Sequence, residues 1–104
     1  MEISSDLSLK YGKKGKATAT IKQGSKIEGI YSFAGKGSTE NLVVSGLLAQ
    51  QYGGEAKDWS HKCGFAPIIC PNGEEMDAQE IHWFEHDDVG QIKFKVKYRE
   101  EGDS

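Results

Sequence analysis

The stretch Gln79-Glu80-Ile81-His82-Trp83-Phe84-Glu85-His86, then Asp87-Asp88-Val89-Gly90, then Gln91-Ile92-Lys93-Phe94-Lys95-Val96-Lys97-Tyr98-Arg99, decides the fold. Two runs rich in aromatic and β-branched residues flank a short polar segment that ends in glycine, which is the pattern of a β-hairpin. A four-residue loop pairs His86 with Gln91, and so Trp83 with Phe94 and His82 with Lys95. Alternation then places Ile81, Trp83, Ile92, Phe94 and Val96 on one face, which must be the core. Glu80, His82, Phe84, His86, Lys93, Lys95 and Lys97 share the other face. A slip of one residue would exchange the two sets.

Upstream of the hairpin, residues 58–73 read as a loop-rich stretch with Cys63, Pro67, Cys70 and the turn Pro71-Asn72-Gly73. Before it lies the one good helical pattern. Ser38 or Thr39 offers an N-cap, and Val44, Leu47, Leu48 and Tyr52 recur at helical spacing up to the stop Gly53-Gly54. The first third alternates as strands: Leu7 to Tyr11, Ala17 to Lys22 and Ile27 to Phe33, separated by Gly12-Lys13-Lys14-Gly15 and Gln23-Gly24-Ser25. The expected architecture is a single α+β domain over residues 1–104. An antiparallel β-sheet of about four to six strands carries one packed helix over residues 39–52.

The 104 residues suffice for one domain. Charged residues make up 28% and hydrophobic residues 37%, so the composition is polar but globular. No run of about 18 apolar residues occurs, so no membrane helix is expected. The first residues lack a basic and apolar leader, so the chain reads as cytoplasmic as made, or exported as part of a larger protein. The formal net charge of −3 is uneven. Residues 1–36 hold seven Lys and three acids, residues 37–90 two Lys and ten acids, and residues 91–104 three Lys, one Arg and three acids. The molecule as a whole is not a basic nucleic-acid binder, but its two ends can join into one basic surface.

Three groupings carry chemistry. Cys63, Cys70, His82 and His86 form C-x6-C-x11-H-x3-H, with His61 as a spare ligand. The cysteine gap exceeds that of a zinc finger, and the histidines lie on a strand, so neither a metal nor another cofactor is expected. Ala34-Gly35-Lys36-Gly37-Ser38-Thr39 lies between strand and helix but lacks the Walker spacing, and reads as a plain turn. The outer hairpin face is the third. An imidazole moves protons near neutral pH, and neighbouring lysines hold phosphate or the charge developing on it. That set suits metal-independent RNA cleavage. It equally suits a solvated strand face with alternating lysines.

Gly53-Gly54-Glu55-Ala56-Lys57-Asp58-Trp59, Glu80-Ile81-His82-Trp83-Phe84-Glu85 and Gly90-Gln91-Ile92-Lys93-Phe94-Lys95-Val96-Lys97 together resemble the C-terminal tips of bacterial polymorphic toxins. Such tips show a helix ending in two glycines, an Asp-Trp pair, and a closing hairpin of the form H-W-Y/F-E, glycine turn, F-K-x-K. The resemblance spans the second half of the chain, and the matching positions are His82, Trp83, Glu85, Lys95 and Lys97. It implies a nuclease acting on RNA or DNA, with RNA the substrate that the residue chemistry suits, and a cognate immunity protein as partner. From the chemistry of the residues, His82 acts as general base or acid, Glu80 or His86 as proton-transfer partner, and Lys95 beside them. Lys93, Lys97 and Arg99 bind phosphate. The alternative is a non-enzymatic interaction module, immunity-like or from a mobile element, whose acidic middle segment binds a basic partner. A small zinc domain is the third class.

Overall fold

The computed structural model describes residues 1–97, so Arg99 lies outside the described residues. The strands are β1 (Leu7–Tyr11), β2 (Ala17–Ile21), β3 (Glu28–Gly35), β4 (Ser60–Ile69), β5 (Glu75–His86) and β6 (Gly90–Val96). One helix, α1 (Ser45–Tyr52), and a 3-10 turn, Ala56–Asp58, lie between β3 and β4.

The expected α+β domain, an antiparallel sheet with a packed helix, is overturned. Strands account for 51% and helix for 11%, and five strands close into a barrel. Around the ring, β1 pairs with β2, β2 with β4, β4 with β5, β5 with β6, and β6 with β1. Two contacts between segments distant in sequence make the closure. They are the parallel β1–β6 pairing at Lys10 and Lys95 and the antiparallel β2–β4 pairing at Thr20 and Ile69. Strand β3 stays outside the ring, attached along residues 60–65 to the edge of β4 whose far end meets β2 at Ile69.

Closure removes the need for a covering helix. A sheet that curls around its own apolar row buries that row from both sides. Leu9, Ala19, Ile21, Ile27, Ala66, Ile68, Ile81, Trp83 and Val96 form the interior, with Ile3 against them. The small residues of this set leave room for Trp83. Gly64 serves the same end, because a Cβ there would sit 2.5 Å from Cγ2 of Ile27. Helix α1 is correspondingly short. It begins at Ser45, not at residue 39, and packs chiefly on the 3-10 turn. Of its apolar stripe only Leu48 is buried, while Val44, Leu47 and Tyr52 are exposed. Ser38 caps no helix. Its hydroxyl instead accepts from the Glu40 amide at 3.1 Å within a turn.

The hairpin forms, with a compensated register. Its loop has three residues, not four, so His86 faces Gly90 and Glu85 faces Gln91. A bulge at Lys93-Phe94, opposite Trp83, then absorbs one residue and restores His82 opposite Lys95 and Ile81 opposite Val96. Lys93 takes φ 57° there. Trp83 and Phe94 stack with ring centroids 5.3 Å apart. Ile92 pairs with Phe84 and so leaves the interior face. The largest local departure is β4, which the sequence reads as loop. Pro67, with no amide to donate, sits at the register shift between Ala66 and Ile68, where its missing donor is tolerated.

Candidate metal centre

On β4, side chains alternate, so His61, Cys63 and Phe65 face outward from the barrel together, with Trp59 just before the strand. Their partners across the β4–β5 ladder are His82 opposite Cys63, Phe84 opposite His61, and Glu80 opposite Phe65. Strand β3 continues the sheet past β4 and sets Tyr31 opposite Cys63. Antiparallel pairing brings directly opposed side chains within about 4.5–5.5 Å at Cβ, so a thiol and two imidazoles converge without any loop.

The convergence is close. His61 Nε2 lies 2.8 Å from His82 Nδ1, and Cys63 Sγ lies 3.4 Å from the same nitrogen. The three donor atoms all lie within 4.8 Å of one another. On its far side, His82 donates from Nε2 to the Glu80 carboxylate at 2.6 Å. That bond leaves the Nδ1 lone pair for His61, while Cys63 Sγ lies against the ring, 3.4 Å from Nδ1 and 3.6 Å from Nε2. Glu80 in turn meets the Lys97 ammonium at 3.6 Å.

The surroundings are aromatic. Phe33 and Phe84 hold their rings 5.1 and 5.2 Å from that of His61. Cys63 is fully buried and His82 only 6% exposed. Burial, then the His82 and Lys95 charges, pushes His61 down to about 4, so its ring is neutral at pH 7. Burial raises the Cys63 thiol, against an opposing interaction from the Tyr31 hydroxyl. The same contact with Cys63 raises the tyrosine.

Of the residues singled out in the sequence, Glu80, His82, Lys95 and Lys97 gather here. His82, read as solvent-facing, is on the outward face as expected but is buried beneath β3 side chains. His86 is elsewhere, at the far end of β5. Its ring packs 5.2 Å from Trp59, its Nδ1 accepts from the Asp88 amide at 3.0 Å, and its Nε2 finds no partner among the described residues. Gly54 (φ +75°) closes over it, and a Cβ there would come 2.3 Å from that nitrogen. Lys93 is exposed on the bulge. Cys70 lies near Tyr11, its Sγ 3.7 Å from the phenol oxygen, and shares nothing with Cys63.

From the sequence, Cys63 and His61 are candidate metal ligands, but grouped with Cys70 and His86 and with no metal expected; Tyr31 has no role there. The signal was present as the alternation Trp59, His61, Cys63, Phe65, masked by Gly64 and Pro67. The glycine turn at residues 35–39 lines a cleft of about 410 Å³ with Trp59, but Lys36 is committed to Asp87 at 2.9 Å.

No family model matches the chain, and neither a curated protein nor a solved structure matches it.

Proposed function

We propose that this domain binds a single transition-metal ion of the zinc class through His61 Nε2, Cys63 Sγ and His82 Nδ1. The observation that carries the reading is the convergence of these three atoms, backed by Glu80 on the other nitrogen of His82. With Zn–S about 2.3 Å and Zn–N about 2.0–2.1 Å, the edges of a tetrahedral site run roughly 3.3–3.6 Å. To match, the 2.8 Å between the two imidazole nitrogens must widen and Cys63 Sγ, now 3.4 and 3.6 Å from the two His82 nitrogens, must swing into line with Nδ1. A carboxylate on the outer nitrogen of a ligating histidine fixes its tautomer and raises its basicity, and such partners typically matter 10–100-fold in affinity, as an order of magnitude.

The mixed nitrogen and sulfur donors favour zinc over magnesium or calcium, which take oxygen. Three protein ligands leave a fourth position, the arrangement of hydrolytic rather than purely structural zinc. A metal bound there would polarise a ligand or lower the pKa of bound water. This reading replaces metal-independent proton transfer by an exposed His82, because His82 is enclosed and its two nitrogens are engaged.

Elemental analysis of protein purified without chelator tests it. About one zinc per chain is expected, absent in Cys63→Ser and His82→Ala but retained in Cys70→Ser and His86→Gln. Glu80→Gln should keep the ligands and weaken affinity by about 10–100-fold. Metal-free wild type that also fails to take up added Zn²⁺ or Co²⁺ sinks the proposal.

A further inference from the structure

Resting on that metal reading, we infer that the open side of the centre receives a phosphate group carrying an unpaired base. Three features of the outer face support this ligand class. The first is charge. Lys95 stands directly across from His82 on β6, is exposed, and forms no ion pair among the described residues. Glu80 is already held by His82 and Lys97. One bound divalent ion with Lys95 and Lys97 therefore outweighs one thiolate and one carboxylate, leaving a positive spot on an otherwise acidic molecule. An anion is the ligand that such a spot attracts.

The second feature is the aromatic margin. Tyr31 and Phe33 on β3 are each 48% exposed, although they flank a buried thiol and two imidazoles. Phe65, beside Glu80 in the ladder, is 38% exposed on the same face. Half-open aromatic rings beside a cation fit the stacking platforms that take unpaired bases next to their phosphates. The third feature is access. Cys63 and His82 are enclosed, but His61 is only half-buried, so the centre is reached from the His61 side, past Phe33 and Phe84.

In a duplex the base faces are taken up by stacking on neighbouring pairs, so a duplex is the poorer ligand. A free nucleotide and a single-stranded polymer present the same chemistry, and the experiment separates them. Cobalt-loaded protein is titrated with inorganic phosphate, with adenosine monophosphate, and with a short single-stranded oligoribonucleotide. The ligand-field bands of Co²⁺ report on its fourth ligand.

The nucleotide should perturb the bands and bind about tenfold or more tightly than inorganic phosphate, since one stacked base supplies that much. Lys95→Ala should weaken all three ligands. Phe33→Leu, which keeps apolar bulk over His61, should weaken the two base-bearing ligands and spare inorganic phosphate. Tighter binding of the oligonucleotide identifies a polymer as the source, and equal binding identifies the free nucleotide. Cobalt bands that form but ignore all three anions overturn this inference and leave the metal centre standing. Equal affinity for inorganic phosphate and nucleotide overturns the base-bearing class. Absence of any cobalt band overturns the metal reading itself, and the inference with it.

Discussion

At the scale of single residues, His82 shows how a side chain can be located correctly and still be misjudged. Strand alternation puts it outside the barrel, but outside is not the same as exposed. Strand β3 and its aromatic rings cover it, so its chemistry depends on Glu80 and on its contacts with His61 and Cys63. His61 has the clearest consequence for pH. Its pKa falls from 6.5 to about 4 in the fold, chiefly through burial. As pH drops, the unfolded chain takes up the proton first, so the stability linked to neutral His61 is held above 6.5 and lost toward 4. The metal-free protein should therefore show a falling urea midpoint between neutral pH and about 4. His61→Gln should flatten that part of the profile. An unchanged slope in the variant would assign the acid sensitivity to other groups. Asp87, whose carboxyl is lowered by Lys36 from 3.8, enters only at more acid pH, so the two windows are separable.

At the scale of elements, the β5–β6 hairpin holds two departures from the expected pairing that cancel. The loop is one residue shorter than expected, and a bulge at Lys93-Phe94 absorbs the difference. That is why His82 still faces Lys95 and why Trp83 still meets Phe94. The bulge depends on Lys93 at φ 57°, the one non-glycine residue with positive φ among the described residues. A β-branched side chain resists this conformation, so Lys93→Val should cost about 1–3 kcal/mol in urea unfolding. Lys93→Gly, which accepts it freely, should be neutral or mildly stabilising. Equal loss in both variants would show that the lysine side chain, and not the backbone, holds the bulge. Strand β4 is the counterpart that sequence reading missed. Its alternation is broken to the eye by Gly64 and Pro67. The first makes room for Ile27 inside the barrel, and the second occupies a register shift.

At the scale of the whole molecule, stability rests on one interior into which five strands project. Trp83 is its largest member after closure, 1% exposed, stacked on Phe94 and tied through Nε1 to Glu85 at 3.1 Å. Trp83→Ala should destabilise the fold by roughly 3–5 kcal/mol, read from denaturant unfolding. A loss below about 1 kcal/mol would mean that the interior collapses around the gap or is not packed as described.

The division between what sequence and structure decide follows from the range of the forces involved. Local pattern determined the strands Leu7–Tyr11 and Ala17–Ile21, the closing hairpin, and the assignment of Ile81 and Trp83 to the core. Alternation and turn chemistry act over a few residues and are written in consecutive letters. The tertiary structure alone decided that β1 meets β6 in parallel and β2 meets β4, which turned an open sheet with a helix into a barrel. It alone brought His61 and Cys63 to His82 while sending Cys70 and His86 elsewhere. Those choices follow from the burial of one shared apolar interior, a collective free energy to which residues far apart in the chain contribute, so no local spacing records it.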